Sequence, residues 1–124
     1  MTMDNALEAA DVRLLADIGF IALSAGLNGE AETIFAGVEA ARPGQEAGPL
    51  GIAMVKMARG DLDGAVSVLR SLAPSDAALT YLGLALARRG DEAEARQLLR
   101  GIVESAPDTP FAALAEAGLQ GIGS

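Results

Sequence analysis

Residues 79–99, LTYLGLALARRGDEAEARQLL, carry the pattern that decides the fold. Gly83 is a small residue within a stretch rich in leucine and alanine, and that stretch ends at Gly90. Ala95 follows five residues after the second glycine, and Leu99 follows four residues after the alanine. Glycine adopts a left-handed conformation at low cost and so ends helices, while small side chains let two helices approach closely. The stretch therefore predicts a helix hairpin that turns at Gly90.

The same landmarks recur twice earlier in the chain. Turn glycines precede Gly90 at Gly26 and Gly60, with intervals of 34 and then 30 residues. The other matching positions are Gly19, Ala53 and Gly83 for the small residue, Ala31, Ala65 and Ala95 after the turn, Phe35, Leu69 and Leu99 for the large residue, and Pro43, Pro74 and Pro107 for the closing proline. The spacing predicts one domain over residues 1–124, with repeats at about 12–45, 46–75 and 76–109. The second repeat is four residues short, which affects its second helix or the loop after it.

Apolar periodicity and capping residues define the helices more closely. Six residues predict a largely buried first helix, and residues 4–10 are expected to extend it backwards: Leu14, Leu15, Ile18, Phe20, Ile21 and Leu23. The expected helix starts are Asn28, Asp61, Ser75 or Asp76, and a capping box of Asp91 with Glu94. A seventh helix at about 108–119 is expected to cover the last repeat through Phe111, Leu114 and Leu119. Residues 121–124 are expected to fray.

Composition argues against catalysis, metal binding and nucleic-acid binding. The chain has no histidine and no cysteine, so the usual general base, the most reactive nucleophile and the commonest metal ligands are absent. Its net charge is −8 and its only lysine is Lys56, whereas phosphate binding needs basic clusters. The acidic groups at 61–63 and 91–94 fall at helix starts, where carboxylates offset the helix dipole. We predict a cytoplasmic protein that is not an enzyme, holds no cofactor and does not insert into a membrane.

The combination of landmarks resembles the tetratricopeptide repeat over about four-fifths of the chain. That resemblance implies an all-α, right-handed superhelical array of about three helix hairpins with a C-terminal capping helix. In such arrays the first helix of each hairpin lines a concave groove. Carried onto this sequence, the resemblance implies a largely apolar groove that binds a partner, with these residues as its main lining: Phe20, Leu23, Leu50, Met54, Met57, Thr80, Leu84 and Arg88.

Small acidic proteins with three such repeats are similar to the chaperones of bacterial type III secretion. The stretches Arg42-Pro43, Ala58–Asp61 and Ala65–Arg70 resemble those of small secretion proteins from plant-associated bacteria. This resemblance implies a chaperone that sequesters an amphipathic helix of another protein, such as a secretion substrate or needle component. The alternatives are a general scaffold, homodimerisation through the same surface, a groove filled by the chain's own terminus, and burial of the groove residues as ordinary core.

Overall fold

The described part of the chain, residues 9–123 of a computed structural model, consists of seven α-helices joined by short turns. The helices are α1 Ala9–Ser24, α2 Asn28–Ala41, α3 Ala47–Ala58, α4 Leu62–Ser71, α5 Asp76–Arg89, α6 Glu92–Ser105 and α7 Pro110–Ile122. No strand occurs within this range. The prediction of an all-helical repeat is therefore confirmed. The expected extension of α1 over residues 4–8 lies outside the described residues.

The small and large landmark residues pack against each other as the spacing predicted. Phe35 of α2 is fully buried, and a Cβ atom added to Gly19 of α1 would lie 2.8 Å from its ring. A Cβ atom on Gly51 of α3 would overlap the same ring, so Phe35 fills the space between two successive first helices. In the third hairpin, a Cβ atom on Gly83 would lie 2.7 Å from Leu99. The small residues are thus required by side chains that leave no room for a methyl group.

The turns and the short second repeat also follow the sequence. Gly26, Gly60 and Gly90 adopt positive φ angles of 80°, 83° and 101°, the left-handed conformation expected at these turns. Helix α4 has 10 residues, whereas α2 and α6 have 14 each. The four missing residues of the second repeat are therefore absorbed by its second helix.

Two of the four predicted helix caps form and two do not. Asp61 accepts a hydrogen bond from the amide of Gly64 at 2.9 Å, and Ser75 accepts one from the amide of Ala78 at 3.0 Å. Asn28 does not cap α2, because the helix begins one residue earlier, with the Leu27 carbonyl accepting from Ala31.

The predicted capping box at the start of α6 is wrong. Asp91 precedes the helix but makes no capping hydrogen bond. Its carboxylate accepts from Arg89 at 2.6 Å, and the Glu94 carboxylate accepts from Arg70. Both carboxylates are engaged by arginine side chains and therefore are not directed at the first amides of α6.

Helix α7 covers α6, as expected of a capping helix, with two corrections. Thr109 caps it by accepting from the amide of Ala112, and Phe111 and Leu119 pack where they were predicted to dock. Leu114 does not dock, since 37% of its surface is exposed. The chain end does not fray from residue 121, because α7 continues to Ile122 and that side chain joins the same cluster.

The chain divides between Arg59 and Gly60 into two compact units. In the first unit, α2 packs against both α1 and α3; in the second, α5 packs against α4, α6 and α7. Each unit has a hydrophobic core of its own. None of the helices between residues 9 and 123 combines the length and the hydropathy needed to span a bilayer.

Candidate binding surface on the first helices

On α1, the two predicted groove residues are half-buried and firmly packed. Phe20 and Leu23 lie against a cluster formed by Ala22, Ala31, Phe35 and Val55. The Phe20 and Phe35 rings meet edge to face, with centroids 4.8 Å apart and an interplanar angle of 61°. Edge-to-face pairs hold aromatic rings in a fixed orientation. Phe20 and Leu23 thus present fixed apolar surface that is only partly covered.

On α3, two of the three predicted groove residues belong to the core. Leu50 and Met57 are each only 8% exposed, whereas Met54 is half-buried. Helix α3 packs against both α1 and α2, so its side chains are covered on more than one side. Met54 is therefore the α3 side chain among the three with surface to offer a ligand.

On α5, each of the three predicted residues has a different environment. Thr80 is fully buried, and its hydroxyl donates to the Asp76 carbonyl at 2.6 Å. Leu84 is half-buried against the cluster of Leu99, and a Cβ atom added to Gly118 of α7 would lie 2.5 Å from its side chain. Arg88 is exposed near the end of the helix. Leu84 consequently supports the docking of α7 as well as presenting apolar surface.

Within each unit, the predicted residues thus divide into core and surface. Leu50, Met57 and Thr80 contribute to packing, and the surface is carried by Phe20, Leu23, Met54, Leu84 and Arg88. Phe20 and Leu23 share one cluster in the first unit, whereas Leu84 belongs to a cluster of the second. A groove formed by all eight residues remains a prediction.

A second apolar surface, which was not predicted from the sequence, lies on the other side of α1. Leu14, Ile18 and Ile21 are exposed, at 59%, 44% and 68%, so the prediction of a largely buried first helix is wrong. Helix α1 is apolar on most of its circumference, and its buried residues are the smaller set Val12, Ala16, Gly19 and Ala22. The intervals of four and three residues between Leu14, Ile18 and Ile21 could have indicated this surface, because they place the three side chains along one face of a helix.

Acidic groups at the helix starts take part in caps and ion pairs. Arg70 of α4 binds Glu94 of α6 through two hydrogen bonds, and Arg89 binds Asp63 and Asp91. The hydrogen bond from Arg70 lowers the pKa of Glu94, as expected for a carboxylate stabilised in its charged form. Within residues 9–123, no three histidine, cysteine or acidic side chains cluster closely enough to hold a metal ion.

Comparison with known proteins agrees with this architecture. The chain matches no functionally curated protein by sequence. Among solved structures it is similar to the type III secretion translocator chaperone SycD of Yersinia enterocolitica, in an alternative dimer, at 17% identity, with 94% of each chain covered and a TM-score of 0.74. It is also similar to SycD in complex with a peptide of the translocator YopD, at 18% identity, with 94% of this chain and 95% of that chain covered and a TM-score of 0.71.

The structural likeness shows a shared fold of helix hairpins. A family model provides the assignment, because the model of the tetratricopeptide repeat matches residues 56–117, half of the chain. The matched range contains the turn at Gly90, the alanine at Ala95 and the large residue at Leu99. On these grounds the chain belongs to the tetratricopeptide repeat family.

Proposed function

We propose that this protein is a binding protein of the chaperone type that captures an amphipathic helical segment of another protein. The apolar side chains on its first helices form the contact surface, and the captured segment belongs to a component or substrate of a type III secretion system. In the first unit the segment would bury its apolar face against Phe20, Leu23 and Met54 and thereby be kept from aggregating, and Leu84 offers surface of the same kind in the second unit. Such helix-in-groove recognition relies on the burial of apolar area.

The observation that carries the proposal is the presence of half-buried, large apolar side chains on all three first helices. Phe20, Leu23, Met54 and Leu84 are all of this kind. Phe20 and Leu23 pack against the core of the first unit and Leu84 against that of the second, so these side chains are ordered and would lose little additional entropy when a ligand binds. Leu50, Met57 and Thr80 would support this surface from within, and Arg88 would contribute a charge at its edge.

The solved complex of SycD supports the choice of ligand class. SycD has the same fold and binds a peptide of the translocator YopD. A chain with this fold and exposed apolar positions on its first helices is suited to the same type of ligand. The proposal for this protein is therefore a peptide segment of another protein, not a small molecule or nucleic acid.

Met54→Asp is the substitution that tests capture most directly. Met54 is half-buried, so the carboxylate of an aspartate there can reach solvent, and it opposes an apolar ligand. The tagged wild-type chain should enrich a small helical secretion protein from native lysate, identified by mass spectrometry. We expect Met54→Asp to weaken binding of the purified partner by about 1–3 kcal/mol.

Leu114→Asp is the matched control, because Leu114 is an exposed leucine on α7, outside the proposed surface. It should bind the partner as the wild type does. Leu84→Asp is unsuitable, since it would disturb the packing of α7 beside Gly118. Equal affinity of the Met54→Asp variant and the wild type, with helicity unchanged in both, would show that the first helices do not form the binding surface.

A further inference from the structure

The exposed stripe of α1, formed by Leu14, Ile18 and Ile21, is the largest group of exposed bulky apolar residues on one described helix. The three residues follow one another at intervals of four and three, so they lie side by side on a single helical face. Phe20 and Leu23, the proposed groove residues of the same helix, pack against the core and are a separate set. Neighbouring exposed apolar residues of this size mark interaction sites in soluble proteins.

The repeat shows what this face does elsewhere in the chain. Shifted by the 34-residue interval, the α1 stripe corresponds to Gly48, Ile52 and Val55 of α3. Gly48 is pressed against Glu39 of α2, and Val55 and Ile52 pack with Phe35 of the same second helix. In α3, therefore, these positions receive the second helix of the preceding hairpin.

The equivalent positions of the third hairpin are buried as well. A further shift of 30 residues gives Ala78, Leu82 and Ala85 of α5, which are at most 6% exposed, and α5 packs against α4. In α1 alone, the face that receives a second helix is uncovered by any described residue. Since the equivalent face of α3 receives the helix α2, we expect this face of α1 to receive an α-helix as well.

The size of the exposed side chains specifies the helix that fits. The first position of this face is Gly48 in α3 and Ala78 in α5. The third position is Val55 in α3 and Ala85 in α5. In α1 the same two positions are the larger Leu14 and Ile21. Close packing conserves volume, so larger side chains on α1 require smaller ones on the helix that covers it. Alanine-sized residues are the expected counterpart.

Charge specifies the flanks of that helix and argues against a second copy of this chain. Asp11 and Asp17 are exposed beside the stripe, and neither forms an ion pair among the described residues. An antiparallel pair of α1 helices centred on the stripe would place Asp17 beside its own copy, between two chains that each carry a net charge of −8. Basic residues flanking the incoming helix would instead complement both carboxylates.

We propose that the Leu14–Ile18–Ile21 stripe is a second docking surface, which binds an amphipathic α-helix of another protein with alanine-sized residues on its apolar face and lysine or arginine beside it. The bound helix occupies the place that α2 takes on α3. This surface is distinct from the one proposed for capture, so Met54→Asp leaves it unaffected and failure of either proposal is recognised separately.

A single engineered thiol tests this surface, because the chain contains no cysteine. Ile21→Cys places a reporter on the stripe of the full chain, and Ser67→Cys, an exposed position on α4, is the control thiol. Both should react with a disulfide reagent at similar rates that do not depend on protein concentration. The probe is a synthetic helix of alanine, leucine and lysine as long as α1, and its counterpart carries glutamate at every lysine position.

The lysine peptide, at about ten times its dissociation constant, should slow modification of Ile21→Cys roughly tenfold and leave Ser67→Cys unchanged. The glutamate peptide should protect neither thiol. Binding of the lysine peptide, followed by fluorescence anisotropy, should be lost in Ile18→Asp and retained in Leu114→Asp.

Three results would overturn the proposal. If Ile21→Cys without peptide is modified slowly, and more slowly still at higher protein concentration, the stripe is covered by a second copy of the chain. If modification is slow at every protein concentration, the stripe is covered by the chain's own residues before Ala9. Lack of protection by the lysine peptide, or binding that survives Ile18→Asp, would show that no such helix docks there.

Discussion

At the scale of single residues, the fold depends on contacts in which one large side chain meets two glycines. Phe35 packs against Gly19 in its own hairpin and Gly51 in the next helix, and it has no exposed surface. Leu99 has a similar relation to Gly83 and to Gly118 of α7. Interiors are packed as tightly as organic crystals, so an added methyl group at such a glycine displaces the large residue. The fixed spacing between the small and large residues of the repeat thus reflects these contacts.

Gly51→Ala should destabilise the protein although alanine favours helices. The new methyl group would overlap the Phe35 ring, and overpacking of this kind lowers the free energy of unfolding by about 1–3 kcal/mol. Gly37→Ala is the matched control in α2, because its nearest neighbour would be Leu15 at an ordinary 3.9 Å. That variant should be more stable than the wild type by about 0.5–1 kcal/mol. Urea denaturation measures both, and a Gly51→Ala variant as stable as Gly37→Ala would contradict the packing argument.

At the scale of helices, the ends of α4, α5 and α6 are joined by ion pairs that also replace an expected cap. Arg70 near the end of α4 binds Glu94 in the first turn of α6 at 2.8 Å, and Arg89 at the end of α5 binds Asp63 and Asp91. These groups are substantially exposed, so each pair contributes little to stability by itself. Their arrangement places acidic side chains at helix starts and arginines at helix ends, where both also complement the helix dipoles.

Glu94→Gln should lower the thermal midpoint of unfolding at neutral pH by a small amount. The pKa of Glu94 is lowered in the folded protein by its hydrogen bond with Arg70, so the charged form is favoured in that state. The stabilisation is therefore fully present above the ordinary pKa of 4.5 and is lost as the pH falls through the lower folded pKa.

Wild type and Glu94→Gln should accordingly become equally stable in strong acid. Glu116→Gln, an exposed residue in the middle of α7 with no ion pair among the described residues, is the control and should melt with the wild type at neutral pH. Circular dichroism melting across the pH range tests this. A difference between wild type and Glu94→Gln that persists below the folded pKa would exclude the ion pair as its source.

At the scale of the whole molecule, the two units differ in how their apolar faces are covered. In the second unit, α7 lies over α6 and α5, with Phe111, Leu119 and Ile122 packed against the cluster of Leu99 and Ile102. In the first unit, the stripe of α1 has no such cover from residues 9–123. Repeat arrays need their terminal faces covered, and this chain does so within the described residues at one end only.

Truncation after Thr109 should therefore destabilise the second unit. Removal of α7 would expose Leu99 and Ile102, which are now at most 3% exposed, and each such side chain contributes about 1.5–3 kcal/mol when buried. Leu99 would still contact Gly83 of α5, so the free energy of unfolding should fall by part of this amount, about 2–4 kcal/mol, with a lower thermal midpoint. Truncation after Gly123 keeps the backbone amide that caps the end of α7, so this control should leave both values unchanged. A shortened chain without α7 that melts with the wild type would show that α7 is not a structural cap.

The candidate surface could be predicted only in part, because the sequence gives a residue's helix and phase but not its cover. Met54, Phe20, Leu23 and Leu84 retain accessible surface, whereas Leu50, Met57 and Thr80 do not, although all were assigned from the same register. The difference for α3 arises from its contacts with both α1 and α2, which involve residues far apart in the chain. Such contacts between distant residues decide which apolar side chains are buried in the core and which remain accessible to a ligand. The local sequence pattern does not distinguish them.

The sequence by itself determined the helix hairpins, their turns and their tight contacts. Gly26, Gly60 and Gly90 fix the turns because backbone conformation is a local property, and the pairs of glycine and large residue repeat at fixed spacing.

Only the tertiary structure decided which side of α1 is covered and which partner each carboxylate of α6 binds. Leu14, Ile18 and Ile21 follow the same helical period as buried residues, and Glu94 has the spacing of a capping residue. Burial and ion pairing depend on helices that are distant in sequence, so only their positions in space distinguish the alternatives.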